Sequence, residues 1–306
     1  MMSEADGAAR CVFCGSSDLS RTHTGLVHPM RPAHGPFDFY LCGSCGSGLT
    51  LPPPSLDSLT ALYQSFDRGL PELHRTITAD DPQDGLYDLC VDRVAELTGH
   101  SPGDHFRWID VAAGGGELAA SMCERFPASQ GRAIDLHERP ASLDDLDRVE
   151  WRTCDLNAPD FAAPFEGGAD VVTAIAVWEH VVSPDRFVRN LVRLLDPDAR
   201  PGLIYLLCPD YGSAARRLMG ERWPYFTPGE HLFIPTTQGA ERCLVSQCEA
   251  AARTTSEIWA RAVRLRDSVR YAVLRAGFPL ALGRWIPRSL RVGMPAGALE
   301  AAVICR

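Results

Sequence analysis

Apolar residues along this chain follow two patterns, and each pattern predicts one kind of element. Residues Leu86–Thr98 place apolar side chains at helical spacing and end before Gly99, which predicts an amphipathic helix. Residues Ala169–Val177 are instead almost continuously apolar, as is typical of a strand buried on both faces of a parallel sheet. Because such runs alternate with helical segments between residues 107 and 208, the pattern predicts an α/β fold.

The remaining elements are predicted from the same signals. Residues 67–82 mix Gly, Pro and Asp and are predicted to form a mobile linker or lid. An Arg-rich amphipathic helix is expected between the last two strands. The predicted helices are 56–66, 86–98, 117–126, 184–195 and 236–248, and the predicted strands are 107–110, 134–136, 149–153, 169–177, 203–208, 254–259 and 299–305.

A glycine-rich turn follows the first of these strands. The strand ends at Asp110, and Gly114, Gly115 and Gly116 precede the helix that begins at Glu117. Glycine lets the backbone approach a ligand closely, and an acid about 20 residues later can accept both hydroxyls of a ribose. Asp135 holds that position, so the pattern predicts a nucleotide-type site. The glycine spacing does not match the Gly-x-Gly-x-x-Gly pattern of dinucleotide sites.

The turn resembles the first motif of the class I S-adenosylmethionine-dependent methyltransferases. Further matches follow in order, at Asp155-Leu156, Trp178-Glu179-His180 and Pro209-Asp210. The resemblance implies a Rossmann-like seven-stranded methyltransferase sheet that binds S-adenosylmethionine. Ala112 stands where the family has a glycine, which is tolerable if its φ is negative. The cofactor-binding residues implied are Asp110, Ala112, Gly114, Gly116, Asp135, Leu136, Asp155 and Leu156.

Two cysteine knuckles lie near the N-terminus. Cys11 and Cys14 form one Cys-x-x-Cys-Gly turn, Cys42 and Cys45 form another, and 27 residues lie between Cys14 and Cys42. Two such turns direct four thiolates to one point, which favours a tetrahedral zinc ion over a thioredoxin-like redox pair. Four protein ligands leave no open position, so the ion is predicted to be structural. Whether a histidine replaces one cysteine stays open, the candidates being His23, His28 and His34.

Composition limits the partners. The net charge of −9 and a pI near 5.5 argue against a nucleic-acid partner. All 30 basic residues are arginine, which excludes a lysine base and suggests a GC-rich bacterial genome. No apolar run approaches 18 residues, and Met1–Arg10 lacks the apolar core of a secretory signal, so no membrane partner and a cytoplasmic location are expected.

We predict three regions: a zinc-ribbon module at 1–54, a helical linker or lid at 55–99, and the methyltransferase domain at 100–306. An acceptor-binding insertion is expected at about 210–235, where Trp223–Phe233 is rich in aromatic residues and Pro. Bacterial small-molecule methyltransferases with an N-terminal zinc ribbon, related to sugar methyltransferases, are similar in this segment. The sugar C-methyltransferases have a further C-terminal domain for which this chain has no room, which leaves O- or N-methylation open.

A histidine that titrates near neutrality suits the removal of a proton from an acceptor hydroxyl. His231 and His180 are the candidate bases, and Glu230 and Glu179 are the candidates for orienting them. The alternatives are a structural role for His231 in the aromatic loop and a role for His180 in capping a helix or lining the cofactor pocket. Ala176 replaces the first acid of the Glu-x-x-Glu-His segment of ubiquinone-pathway O-methyltransferases, so no catalytic metal is expected.

These observations predict methyl transfer from S-adenosylmethionine to a small-molecule acceptor, a hydroxyl of a sugar or specialised metabolite. An RNA methyltransferase and a non-catalytic cofactor-binding scaffold are the alternatives. The C-terminal arginines are either a solvated helix face or a site for a phosphate-bearing or carrier-tethered acceptor. The oligomeric state is left open. These arginines are Arg253, Arg261, Arg264, Arg266, Arg270, Arg275, Arg284, Arg288 and Arg291.

Overall fold

The computed structural model describes residues 9–28, 35–66, 86–268 and 291–305, with side chains for all of these except 63–66, 264–268 and 291–296. The whole of the predicted linker at 67–82, His34 and the arginines between 270 and 288 lie outside the described residues. The chain forms two compact units. The cysteine unit comprises Met1–Asp81, Pro209–Cys243 and Ala262–Ala298, and the sheet unit comprises Pro82–Cys208, Leu244–Arg261 and Leu299–Arg306.

The sheet unit is built on seven strands in the order β10-β11-β8-β7-β4-β5-β6. Counted along the chain within this sheet, the order is sixth-seventh-fifth-fourth-first-second-third, the Rossmann-like methyltransferase order that the motifs predict. β4 pairs in parallel with β5 and β7, and β5–β6 and β7–β8 are parallel as well. The strands are β4 (Arg107–Val111), β5 (Gln130–Asp135), β6 (Val149–Thr153), β7 (Val171–Ile175), β8 (Gly202–Pro209), β10 (Glu257–Ser268) and β11 (Arg291–Cys305).

Burial explains why these segments are strands. Every residue of β7 and of β8 is buried, as expected for central strands covered on both faces. On α4, the apolar face is buried and includes Phe187, Leu191 and Leu194, while Arg186 and Arg193 are less buried. The helices that belong wholly or partly to this unit are α2 (Leu86–Thr98), α3 (Glu117–Arg125), α4 (Pro184–Leu194) and α6 (Thr237–Ala250).

The cysteine unit has a four-stranded sheet of its own, in the order β1-β2-β3-β9. β1 (Leu19–Leu26), β2 (Phe37–Cys42) and β3 (Gly48–Thr50) form an antiparallel meander. β9 (Phe233–Ile234) then adds to β3, with Gly48 opposite Ile234. Residues from the predicted acceptor insertion therefore complete the sheet that the N-terminal module begins.

Two helices and an aromatic cluster complete the description of the cysteine unit. α1 (Leu56–Phe66) begins after Ser55, as predicted, and buries Leu59 and Leu62. The short α5 (Ala214–Met219) is capped by Ser213, whose side chain accepts from the Arg216 N–H. The aromatic cluster is defined by Phe39, Tyr211, Trp223, Phe226 and Ile234, all of which are buried.

One predicted element is wrong in part. The Arg-rich amphipathic helix was expected after a strand at 254–259, but β10 continues as a strand to Ser268 and includes Arg261, Arg264 and Arg266. A strand of this length pairs with a long neighbour, β11, and backbone pairing outweighs the helical spacing of the side chains. Among the residues that the structure describes, no helix has the length and apolar character needed to cross a membrane.

Candidate active site

The glycine turn lies at the carboxyl end of β4. The N–H groups of Ala112 and Ala113 both donate to the Ile134 carbonyl, at 2.8 and 3.2 Å, which ties the turn to β5. Gly116 has a φ of 82°, and a Cβ at this position would lie 2.7 Å from the Leu143 side chain. Gly114 also has a positive φ, of 53°. Glycine is therefore required both by backbone conformation and by close packing.

Asp135 ends β5 beside this turn, as the motif predicts. Its two carboxylate oxygens accept from the Gly114 and His137 backbone N–H groups, each at 2.9 Å. These two bonds fix the orientation of a carboxylate that is only 7% exposed, and each oxygen keeps a second lone pair for a ligand hydroxyl. The next residue, Leu136, is 42% exposed and offers an apolar surface beside the carboxylate. A nucleoside ligand needs both a carboxylate that accepts from its ribose hydroxyls and an apolar surface for its rings.

Asp110 is fully buried at the end of β4. Thr173 on the neighbouring β7 donates a hydrogen bond of 2.9 Å to its carboxylate. Burial raises the pKa of Asp110 to about 7, although the Thr173 hydrogen bond acts in the opposite direction. Burial, Glu117 and Asp110 together raise the pKa of Tyr87, so the start of α2 lies within electrostatic range of the glycine turn.

Ala112 differs from the expectation for it. The sequence argument required a negative φ, whereas Ala112 has a φ of 64°. An L-residue in this left-handed region costs about 1–2 kcal/mol relative to the right-handed one. The turn therefore keeps the backbone that a glycine would favour, with an alanine in its place.

Asp155 and Leu156 follow β6, the strand next to β5. Asp155 is exposed and accepts from the Asn157 N–H at 2.9 Å. Asn157 in turn accepts from the Val182 N–H at 3.0 Å, which joins this loop to the segment after β7. Asp110, Asp135 and Asp155 thus lie at, or just beyond, the carboxyl ends of three neighbouring parallel strands.

His180 and Glu179 form a short turn after β7 that spans Trp178–His180. Glu179 is buried, with 1% of its surface exposed, and His180 is partly buried. Nε2 of His180 lies 3.8 Å from Oε1 of Glu179, which is an ion-pair distance and too long for a hydrogen bond between these two atoms. A role of Glu179 in orienting the ring stays a prediction.

The four knuckle cysteines meet at one point of the cysteine unit. All four Sγ atoms lie within 4.8 Å of one another, and the Cys11–Cys45 and Cys14–Cys42 pairs are each 3.6 Å apart. Four Zn–S bonds of about 2.3 Å would place tetrahedral sulfurs about 3.8 Å apart, so the donor set fits zinc. A hydrogen bond from Cys11 lowers the pKa of Cys45 to about 5, which favours the thiolate that binds metal.

The second knuckle is bonded to the chain that follows β9. Thr236 donates to the Cys45 carbonyl at 2.5 Å, and its own N–H donates to Ser47 Oγ at 3.2 Å. Gly239 lies so close to Ser47 that a Cβ would be 2.2 Å from the hydroxyl. The Thr50 N–H donates to the Leu232 carbonyl at 2.7 Å. The cysteine cluster and the segment after His231 are therefore one packed structure.

His231 is held by the aromatic loop. Its Nδ1 lies 2.7 Å from the Tyr225 carbonyl oxygen, which can only accept, so Nδ1 carries the proton. In the neutral ring Nε2 is then the basic nitrogen. Glu230, predicted to orient His231, has its carboxylate 2.8 Å from Nε2 of His28, a residue with 1% exposure. The Tyr225 backbone carbonyl is therefore a group that orients the His231 ring.

Several residues of these sites carry no sequence signal. Thr173 supports Asp110, the Tyr225 carbonyl supports His231, and His28 meets Glu230 across 202 positions of sequence. His28 had been an alternative zinc ligand, and the four-cysteine cluster assembles without it. The sequence shows the position of His28 near other histidines, and nothing in that position indicates Glu230 as its partner.

Comparison with known proteins agrees with the geometry. A family model described as a methyltransferase domain matches residues 73–244. A ubiquinone biosynthesis O-methyltransferase of Neisseria meningitidis serogroup A is 32% identical over 120 residues, which are 37% of this chain and 49% of the relative. One from Xanthomonas campestris pv. campestris is 30% identical over 152 residues, 48% of this chain and 62% of the relative. The chain spans about half the length of the curated relatives it matches.

Among solved structures, the chain is similar to the 1,6-didemethyltoxoflavin-N1-methyltransferase of Burkholderia thailandensis. The identity is 15%, the match covers 84% of this chain and 95% of that one, and the TM-score is 0.49. The family model covers more than half of the sequence, and the sheet has the strand order of the class I enzymes. The chain belongs to the methyltransferase-domain family.

Proposed function

We propose that this protein transfers a methyl group from S-adenosylmethionine to a hydroxyl group of a small molecule, a sugar or specialised metabolite. The observation that carries the proposal is the pairing of the glycine turn with Asp135. The Gly114 N–H fixes a carboxylate at the end of β5, where a nucleoside ribose would bind. Asp155 after β6 is assigned to the adenine end of the same cofactor.

Bound S-adenosylmethionine supplies an electrophilic methyl carbon, whose bond to sulfur breaks as the bond to the acceptor oxygen forms. Asp135 accepts hydrogen bonds from the ribose hydroxyls, and the absence of side chains at Gly114 and Gly116 makes room for the ligand. Nε2 of His231 takes up the proton of the acceptor hydroxyl, because Nδ1 carries its own proton and donates it in a hydrogen bond to the Tyr225 carbonyl. His180 follows β7 in the sheet unit and is assigned to the cofactor pocket.

Zinc is proposed as a structural ion bound by Cys11, Cys14, Cys42 and Cys45. Its support is the match between the sulfur separations and a tetrahedral thiolate site. All four positions of the ion are filled by the protein, so it would take no part in methyl transfer. Its assigned role is to hold the second knuckle, on which the segment after His231 is packed.

The test is methyl transfer from cofactor labelled in its methyl group to a bacterial metabolite extract. Label in a low-molecular-weight product is expected with the wild-type protein and is expected to be much reduced for Asp135→Ala at low cofactor concentration. Nuclease treatment of the extract separates the RNA alternative, since it would remove an RNA acceptor and leave a metabolite. Cofactor binding with no label in any fraction would favour the non-catalytic scaffold.

A further inference from the structure

Arg216 in α5 lies on the aromatic cluster of the cysteine unit. Its guanidinium carbon is 4.5 Å from the ring centroid of Tyr211 and 5.7 Å from that of Phe226. Nη2 donates to the Tyr211 hydroxyl at 2.7 Å. These contacts fix the plane of the guanidinium without neutralising its charge, because aromatic rings and a phenol carry no net negative charge.

Among the side chains that the structure describes, which exclude 63–66, 264–268 and 291–296, no carboxylate forms an ion pair with Arg216. By contrast, Arg21 in the same unit pairs with Asp38 at 3.1 Å. The Nε atom of Arg216 is also buried and has no hydrogen-bond partner in the described part of the chain. A guanidinium that has lost part of its hydration and has no counter-ion attracts an anion more strongly than a fully hydrated one.

Two other buried donors of this region have no hydrogen-bond partner among the described side chains and backbone. They are Nε1 of Trp223 and Oγ1 of Thr227. Trp223 belongs to the aromatic cluster, and Thr227 accepts from the N–H of His231 through its carbonyl. Buried donors are usually satisfied in folded proteins, so several in one region indicate that a polar ligand completes it.

We propose that Arg216 binds an anionic group, a carboxylate or a phosphate, of the methyl acceptor. Planar donors suit either anion, and the Nη atoms have N–H groups beyond the one given to Tyr211. The inference rests on the proposed function, because it identifies the ligand as the acceptor. It also places anion recognition in the insertion, whereas the sequence suggested the C-terminal arginines.

The experiment measures binding of simple anionic probes to the full-length protein. Phenyl phosphate and benzoate share a ring and differ in the anion, and benzyl alcohol is the neutral control. The Nε–H resonance of Arg216, assigned by its loss in Arg216→Lys, reports contact directly. We expect one anion to shift this resonance, and Arg216→Gln to weaken its affinity by about tenfold or more.

Arg222→Gln is the matched control, since Arg222 is an exposed arginine in the same segment. It should bind the probe as the wild type does. Tyr211→Phe keeps the ring and removes the hydroxyl, so it should have a smaller effect than Arg216→Gln. If Arg216→Gln impairs folding, the resonance shift in the wild type and the comparison with Arg216→Lys still decide the matter.

A shift with phenyl phosphate alone supports a phosphate-bearing acceptor, and a shift with benzoate alone supports a carboxylate. Equal loss of affinity in Arg216→Gln and Arg222→Gln would show general charge attraction and overturn the proposal. So would the absence of Arg216-dependent binding below about 10 mM probe. S-adenosylmethionine binding is measured on the same samples: if the cofactor binds and the anions do not, this inference fails while the proposed function stands.

Discussion

The two units of this protein are organised in different ways. The glycine turn, Asp135 and Asp155 of the sheet unit come from successive βα segments, so their positions follow from strand order and short loops. Both units are assembled from three stretches of chain, but in the cysteine unit β9 (Phe233–Ile234) joins a sheet whose first strand begins at Leu19. The cofactor site of the sheet unit can therefore be recognised from local motifs, whereas the cysteine unit depends on contacts between distant segments.

The metal site tests this difference most strongly. Structural zinc in small modules contributes roughly 10–16 kcal/mol of apparent binding free energy. Cys42→Ser should therefore lose the zinc, one ion per wild-type chain, and lower the free energy of unfolding of the cysteine unit before it changes turnover per folded molecule. Elemental analysis and thermal denaturation measure both effects.

The control for this variant is Cys154→Ser, which changes a half-buried cysteine outside the cluster. It should keep both zinc and stability. Cofactor affinity of the sheet unit should survive in Cys42→Ser protein that remains folded. A wild-type protein that is intact, stable and free of zinc would contradict the assignment.

The next largest effect is expected at His231. Loss of a general base lowers a rate by about 10²–10⁴, so His231→Ala should lower turnover at least a hundredfold and leave cofactor affinity unchanged. Glu230→Gln and His28→Gln should have similar, milder effects, because the two side chains form one pair. Steady-state kinetics on folded protein measure these values.

His180→Ala is the comparison within the sheet unit and should lower turnover less than His231→Ala. The reverse ranking would move the base to His180. Near wild-type rates in both variants would mean that alignment alone suffices, as for an amine that is already nucleophilic.

Asp135 is the corresponding test of the cofactor site. Removal of a charge-assisted pair of hydrogen bonds to the ribose should weaken S-adenosylmethionine binding by about tenfold or more. Calorimetry on Asp135→Ala checks this, with the exposed Asp145→Ala as a control of equal charge change. Wild-type affinity in Asp135→Ala would refute the assignment of Asp135 to the ribose. Tight binding of NAD would contradict the proposal that S-adenosylmethionine is the cofactor.

Asp110 predicts how stability depends on pH. Its folded-state pKa of about 7 lies above the ordinary value of 3.8, so the folded protein holds a proton that the unfolded chain releases. Stability should therefore fall as pH rises between about 4 and 7, by up to about 1.4 kcal/mol per pH unit. Asp110→Asn should remove this contribution in denaturant titrations at several pH values. An unchanged slope would show that Asp110 ionises normally.

Ala112 carries the smallest expected effect. Ala112→Gly relieves the positive φ but adds freedom to the unfolded chain, so a net gain in stability below about 1 kcal/mol is expected. The neighbouring Ala113→Gly has no such strain to relieve and should be destabilising. Equal losses of stability in the two variants, measured by thermal denaturation, would show that the turn is not strained.

Much of the sheet unit could be predicted because its signals are local. Continuous apolar runs identify β7 and β8, and the spacing of Asp110, the glycines and Asp135 identifies the turn. The amphipathic helix between the last strands was wrong in part, since the long β10 depends on pairing with β11. Side-chain periodicity cannot show which distant strand is available as a partner.

By itself the sequence determined the α/β class, the order of the cofactor motifs and the two cysteine knuckles, because spacing along the chain places these groups. The structure decided that the four cysteines meet without a histidine from the described part of the chain. Tertiary structure decided that Glu230 pairs with His28, which lies 202 positions away in the sequence. The partners of His231 and Arg216 lie only 6 and 5 positions away, and the local fold of the aromatic loop and of α5 selects them. Tertiary structure also decided the φ of Ala112, because the hydrogen bonds from this turn to Ile134 hold the backbone in a conformation that an isolated alanine avoids.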